Sequence, residues 1–348
     1  MDGDRTVSGN SPSFSGAHEV LDALRDAGLL TGAARMAPLP GGVSSDIALV
    51  ESDRERFVVK RSLARLKVAD LWICDTRRTV TEFRAIDYAG RFLPEATPRL
   101  LWTDARLHCF AMEFYGAGFQ TWKTALLRGD VDLATGVRVA RLLAALHRGS
   151  WNDAAAADSF AAHDDFHALR LEPYLLTTGR RHPDLASEFQ AEVDRLRSTA
   201  LALVHGDWSP KNLLVSGDRL IILDWEVACF GDPAFDAAFL LNLLYLKSLY
   251  NSRDLPRYLE LTRVFRATYG RETFPLDADL DRRIRRLTLL LLLARIDGKS
   301  PVEYIADPLA KQVVRDFVRD ALQRGIDSWN EIEVRWTSAV RANANQAS

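Results

Sequence analysis

The chain has 348 residues at 47% hydrophobic composition, enough for one large or two medium domains with real cores. A formal net charge of −2 leaves no global basic signature and argues against nucleic acid as a partner. Three scattered cysteines, Cys74, Cys109 and Cys229, form no C-x-x-C pair and read as buried thiols of a reducing compartment, not a disulfide frame. No basic start leads into an apolar run, and the longest purely apolar run, Leu289 to Ala294, is far too short for a bilayer. The expectation is a cytoplasmic protein without a signal peptide or membrane partner.

In chain order, residues 1 to 16 are rich in Gly, Ser and Asp and read as a flexible start. Ala17 to Gly28 reads as an amphipathic helix with Val20, Leu21 and Leu24 on one face and Gly28 as its stop. A turn-rich segment, Leu39 to Asp46, precedes a predicted strand Ile47 to Val50, and Phe57 to Lys60 is a second. A helix is expected over Thr79 to Arg91, and Pro94 and Pro98 break the chain after it. Strands follow at Arg99 to Trp102 and Leu107 to Tyr115, and Gly116 and Gly118 mark a hinge-like change from β-rich to α-rich sequence.

Helices are then predicted over Val131 to Arg148, in parts of Asp153 to Arg197, and over Leu240 to Tyr250, Leu255 to Tyr269 and Asp279 to Ile296. His147 reads as a structural cap, and His163 with His167 as exposed helix surface. Residues 341 to 348 read as a loose tail. These divisions give an N-terminal lobe over 17 to 115 and a C-terminal lobe over 116 to 340.

One stretch, Leu203 to Asp236, concentrates the chemistry. An apolar run leads into His205-Gly206-Asp207, with Asn212 five residues beyond the Asp. Ser216-Gly217-Asp218 forms a turn, and a second run, Leu220 to Leu223, delivers Asp224-Trp225-Glu226. A hairpin here gathers Asp207, Asn212 and Asp224, oxygen ligands that suit a hard cation such as Mg²⁺. Asp232 and Asp236, next to Pro233 and an apolar helix, read as loop and N-cap stabilisers, and His205 as a scaffold.

The H-x-D-x-x-x-x-N spacing, the Asp-Trp-Glu, and the Gly231-Asp232-Pro233 and Asp236 that follow resemble the aminoglycoside phosphotransferase and choline kinase superfamily. That resemblance, over about residues 35 to 300, implies an α+β, two-lobed protein-kinase-like fold with a small antiparallel β-sheet lobe and a larger helical lobe. It implies an enzyme that transfers the γ-phosphate of ATP to a hydroxyl of a small metabolite, with Mg²⁺. Asp207 is then the catalytic residue, and Asn212, Asp224 and Glu226 the metal ligands. Gly41, Gly42, Ser44 and Ser45 offer backbone amides to phosphates, Lys60 anchors the α and β phosphates, and Glu82 pairs with Lys60. Glu113 and Tyr115 fall in the linker that meets adenine.

Within the superfamily, Val59-Lys60-Arg61, Arg65 to Ala69, Trp72, Met112-Glu113 and Ala294 to Gly298 are similar to 5-methylthioribose kinase. The chain departs from that family in having Ala294-Arg295 where two arginines stand, and in supplying Asn212. Trp208 and Arg295, with Lys299, are accordingly candidates for contact with a sugar-like acceptor. Two other functions compete: an antibiotic O-phosphotransferase, and a nucleotide-binding pseudokinase without turnover. The expected partners are ATP and a small hydroxylated substrate, with the chain a monomer or homodimer.

Overall fold

The computed structural model describes residues 14–39, 44–65, 75–161 and 163–346. Gly41, Gly42, Leu66 to Ala69, Trp72 and Cys74 lie outside them. The chain packs as two compact units, Met1–Arg84 with Pro98–Gly116, and Ala85–Thr97 with Ala117–Ser348.

The first unit holds helix α1 (Ala17–Asp26) and strands β1 (Arg35–Pro38), β2 (Ser45–Glu51) and β3 (Arg56–Ser62). Helix α2 (Arg78–Ala89) begins in it, and β4 (Leu100–Asp104) and β5 (Cys109–Glu113) complete an antiparallel sheet of order β1-β2-β3-β5-β4. Side chains alternate across a strand, so Phe57 and Val59 share one face with Ala48, Val50, Cys109 and Ala111. Val20 and Leu24 of α1, both fully buried, close that core. Burying each contributes on the order of 1.5–3 kcal/mol. The same alternation turns Lys60 to the opposite face, where Phe110 stands across from it and meets Phe83 of α2 edge-on, ring centroids 6.2 Å apart. The edge strand β1 was not predicted; Arg35-Met36-Ala37-Pro38 carries little apolar alternation.

In the second unit the helices are α3 (Trp122–Leu127), α4 (Leu133–Gly149), α5 (Ala154–Ser159), α6 (Asp164–Phe166), a π-helical segment His167–Leu176, α7 (Thr177–Arg181) and α8 (Ala186–Ser198). Later come α9 (Ala234–Tyr250), α10 (Leu255–Thr273), α11 (Leu280–Asp297), α12 (Pro308–Gln323) and α13 (Trp329–Gln346). Asp132 caps α4, its carboxylate accepting from the N–H groups of Ala134 and Thr135. Helix α9 is buried from Ala234 to Leu249 and packs between α10 and α11. An all-apolar surround of this kind explains its nearly uniform hydrophobic sequence.

Short strands support the loops of the second unit: β6 (Gln120–Thr121), β7 (Ala202–Val204), β8 (Leu213–Ser216), β9 (Arg219–Ile222) and β10 (Cys229–Gly231). The turn at Gly217-Asp218 closes the β8–β9 hairpin, with Ser216 opposite Arg219. The apolar run before His205 is not part of that hairpin: as β7 it pairs with β10. Ala85–Thr97 is tied to this unit by the Ile222 N–H, which donates to the Ala96 carbonyl at 2.8 Å. The expected loose tail is helical through Gln346, because α13 buries Trp336, whose indole donates to Ser248 at 2.9 Å. Among the described residues, no helix is long and apolar enough to cross a membrane. Cys109 and Cys229 are free, buried thiols, and burial pushes the Cys109 thiol up to about 12.

Candidate active site

In the first unit Lys60 and Glu82 form an ion pair at 2.8 Å with both side chains almost fully buried. β3 and α2 place them, and the pairing is the one the sequence predicts. Ser44 is half-buried, and its carbonyl accepts from the Leu63 N–H at 2.9 Å and from Arg78. Glu113 closes β5, with its N–H donating to the Arg99 carbonyl at 2.9 Å and its carboxylate 3.7 Å from the Arg99 guanidinium. Tyr115 follows two residues later, half-buried.

In the second unit the loop after β7 is built around Asp236, in the first turn of α9. Its fully buried carboxylate accepts from the N–H groups of His205 at 2.7 Å and Gly206 at 2.8 Å, and meets His147 Nε2 at 3.2 Å. Asp236 is thus the anchor of His-Gly-Asp and not an N-cap. His147, fully buried and bonded on its other nitrogen to the Tyr269 hydroxyl at 2.8 Å, is an interior strut and not a cap. Asp232, in the loop just before Pro233, accepts from the Ala234 N–H at 2.9 Å and also pairs with Arg283 and Arg195. Gly206 has φ +78°, and a Cβ there would meet the Val227 carbonyl and methyl at 2.8 Å. Only glycine fits.

His205 is a scaffold, as expected. Its Nδ1 accepts from the Asp207 N–H at 3.1 Å and its Nε2 donates to the Leu223 carbonyl at 3.1 Å. Burial holds the imidazole below its ordinary range, which keeps it neutral and matches that tautomer. The Asn212 amide nitrogen donates to the Asp207 carbonyl at 3.0 Å, so its amide oxygen is the atom left for a cation. The Leu223 N–H donates to the Asn212 carbonyl at 2.8 Å and lays Asp224 beside Asn212. Asp224 sits at φ +70°, a left-handed conformation costly for a side chain with Cβ.

Asp207 carries two unlike oxygens. Oδ2 is paired with Arg170 at 2.9 Å and Lys211 at 2.8 Å, whereas Oδ1 is buried with no hydrogen-bond partner among the described residues. Burial alone would raise this carboxyl, but Lys211 and Arg170 outweigh it and hold Asp207 well below the usual carboxylate range. Neither cation was foreseen in the sequence. Lys211 stands four residues after Asp207 in the same loop, a spacing that could have flagged it. Arg170 comes from the π-helical segment 37 residues upstream and leaves no local trace.

The donor chemistry of Asn212, Asp224 and Glu226 fits a hard divalent cation: three oxygen donors, with carboxylate oxygens of Asp224 and Glu226 within 4.8 Å of each other. Trp225 between them is fully buried, its indole donating to the Ile222 carbonyl at 3.1 Å and its ring centroid 4.4 Å from that of His205. It orients the two acids with the segment in a left-handed bend instead of the extended form expected.

Trp208 departs further from expectation. It is fully buried, edge-on to His205, and offers no surface as a pocket wall. Arg295, on α11, is half-buried and its Nη1 donates to the Tyr174 hydroxyl at 3.1 Å and to the Ser300 hydroxyl at 3.1 Å. Lys299 pairs with Glu172 at 2.9 Å.

The model of the phosphotransferase enzyme family (APH) matches residues 35–271, about two thirds of the chain. The chain belongs to that family. By that family's description it is a phosphotransferase. The family match takes in Lys60, Glu82, Asp207, Asn212, Asp224, Glu226 and Asp236, but stops before Arg295.

Protein LicA of Haemophilus influenzae is 33% identical over 64 residues, 18% of this chain. The match spans 24% of LicA's own length. Among solved structures, choline kinase from Cryptosporidium parvum superposes with TM-score 0.54 at 13% identity, covering 93% of this chain and 99% of that one. Plasmodium vivax ethanolamine kinase gives 0.52 at 12% identity over 92% and 85% of the two chains. The streptomycin–ATP–APH(2″)-IIa ternary complex gives 0.50 at 15% identity over 89% and 97%. These likenesses show a shared kinase-like fold.

Proposed function

We propose that this phosphotransferase moves the γ-phosphoryl group of ATP to a hydroxyl of a small metabolite, of sugar-like type, with Asp207 as the residue that receives the hydroxyl. The observation that carries the reading is the asymmetry of Asp207: Oδ2 fixed by Arg170 and Lys211, Oδ1 buried and unpartnered. An ionised oxygen without a donor is an acceptor waiting for one, and an alcohol O–H supplies it. Because the two cations depress its basicity, Asp207 is a poor early proton abstractor. Its work is to orient the alcohol oxygen in line with the phosphorus and take the proton late, which suffices for the loose transition state of phosphoryl transfer.

Lys60, held in place by Glu82, anchors the non-transferred phosphates, and Glu113 and Tyr115 lie on the segment that meets the nucleotide base. Asn212, Asp224 and Glu226 would hold Mg²⁺, which when bound neutralises charge on the phosphate oxygens. The alcohol oxygen forms the new P–O bond as the bond from the γ-phosphorus to the β,γ-bridging oxygen breaks, ADP leaves with that electron pair, and the alcohol proton passes to Asp207. The intact Lys60–Glu82 pair and the free Asp207 oxygen both favour turnover over a pseudokinase role. Coupled ADP release with a panel of polyols, sugars and thiosugars tests the reading. Acceptor-dependent release that disappears in Asp207→Asn supports it, and release independent of both acceptor and Asp207 overturns it.

A further inference from the structure

Beyond Asp207, the second unit holds a cluster of cations that the transfer chemistry does not use. Lys247, on α9, is 1% exposed, and among the described residues it has no carboxylate partner. Among the described residues its ammonium's one hydrogen bond is to the Tyr304 hydroxyl at 3.4 Å, and it lies 4.8 Å from that ring's centroid. Arg295 lies nearby, stacked 5.3 Å from the Tyr174 ring, with a buried Nε that has no partner. The carboxylates of the neighbourhood are already engaged: Glu303 with Lys123, and Glu172 with Lys299 and Arg180.

The cluster sits on a fixed scaffold. The loop after α11 is stitched to the π-helical segment by the Lys299 N–H, which donates to the Pro173 carbonyl at 2.9 Å, and the Val302 N–H returns to the Arg295 carbonyl at 2.8 Å. A Cβ on Gly298 would meet the Pro173 carbonyl at 2.9 Å, so the loop can approach that segment only through glycine. The same segment carries Arg170 to Asp207 and, one turn on, Tyr174 to Arg295. Arg170 and Tyr174 both lie over Phe239 of α9, and Lys247 follows Phe239 by eight residues, about 12 Å along the helix.

A buried ammonium without a counter-ion is costly. Burial, with Lys123 and Arg295 adding to it against Glu303, pushes Lys247 down to about 7. An anion arriving there would restore its charge and give the Arg295 Nε a partner, the guanidinium's Nη1 being already bonded to Tyr174 and Ser300.

We infer that the acceptor carries an anionic oxygen group, a carboxylate or phosphate, which Lys247 and Arg295 bind while its hydroxyl lies at Asp207 Oδ1. The inference rests on the proposed kinase reading for the hydroxyl end, and on Lys247 and Arg295 alone for the anionic end. It excludes multiply cationic acceptors such as aminoglycosides and quaternary amino alcohols, because the groups assigned to the acceptor's far end, Lys247 and Arg295, are themselves cations, and Asp207 is already paired with Arg170 and Lys211.

The test has a binding arm and a turnover arm. Glycerate, gluconate, glycerol 3-phosphate and ribose 5-phosphate are titrated calorimetrically against glycerol, ribose and choline, with the wild type, Lys247→Met and Arg295→Gln. Methionine keeps the volume of the lysine stem in an apolar surround, and the two variants check each other for folding. The inference predicts heat of binding from anionic members alone and at least tenfold weaker binding in both variants, with carboxylate and phosphate probes separating the two oxyanion classes. In turnover, ADP release follows the same preference and the acceptor KM rises at least tenfold in both variants. Anion binding without turnover of any acceptor keeps the inference and removes the kinase reading. Efficient turnover of a neutral or cationic acceptor, at an acceptor KM that Lys247→Met and Arg295→Gln leave unchanged, overturns the inference and keeps the kinase reading. Equal binding of anionic and neutral members also overturns it.

Discussion

Asp207 concentrates the account at the scale of single residues. Two cations on one oxygen and none on the other make it an oriented acceptor with low basicity. Asp207→Asn keeps the shape but reverses one hydrogen-bonding direction, and kcat is expected to fall by about 10²–10⁴-fold, measured by steady-state ADP release. The depressed carboxyl also fixes a pH signature. Its folded-state pKa lies below the unfolded value of about 3.9. Ionised Asp207 therefore stabilises the fold at pH above about 4, and that contribution is lost as the pH falls through the folded-state value. Replacing Lys211 by Met removes one of the groups that lower it, so the acid limb of the kcat/KM profile is expected to move to higher pH. An unmoved limb would show that Lys211 does not tune Asp207. The sequence named Asp207 through its spacing from His205 and Asn212. It did not reveal Arg170, which reaches the site through the tertiary fold, nor that Trp208 is spent on packing against His205.

Elements matter here chiefly as devices that aim loops. Helix α9 begins with a carboxylate, Asp236, that gathers two backbone N–H groups of the His-Gly-Asp loop and the ring of His147. Asp236→Ala orphans these buried donors, each costing about 1–3 kcal/mol. A loss on the order of 3–5 kcal/mol is expected in chemical denaturation, larger than the loss of about 1 kcal/mol for an ordinary helix cap. Gly206→Ala combines a positive φ with a 2.8 Å clash against the Val227 carbonyl. It is expected to destabilise by about 2–4 kcal/mol and to displace Asp207, lowering kcat along with the melting temperature. A variant as stable and active as the wild type would contradict the geometry. Most helices were legible from their apolar spacing, and the β8–β9 turn from its Gly-Asp pair. The pairing of β7 with β10 was not, because three-residue strands of similar apolar character do not declare their partners.

For the whole molecule, the α+β division near residue 116 follows the switch from alternating to helical patterning, and the contacts add Ala85–Thr97 to the second unit. What composition could not show is where charge accumulates. A net charge of −2 conceals a buried lysine of α9 and a half-buried arginine of α11, both without a carboxylate partner among the described residues. Tyr174 and Arg295 stand far apart in the chain and meet only in the fold, which is why the cation cluster became visible only in three dimensions. The most direct measurement of the central claim is ³¹P NMR of Mg²⁺–ATP incubated with hydroxylated acceptors, comparing the wild type with Asp207→Asn. A new phosphomonoester resonance is expected to grow in step with ADP, only when acceptor is present, and at least about 100-fold slower in the variant. ADP and inorganic phosphate formed at equal rates by both proteins, with no phosphomonoester, would contradict it.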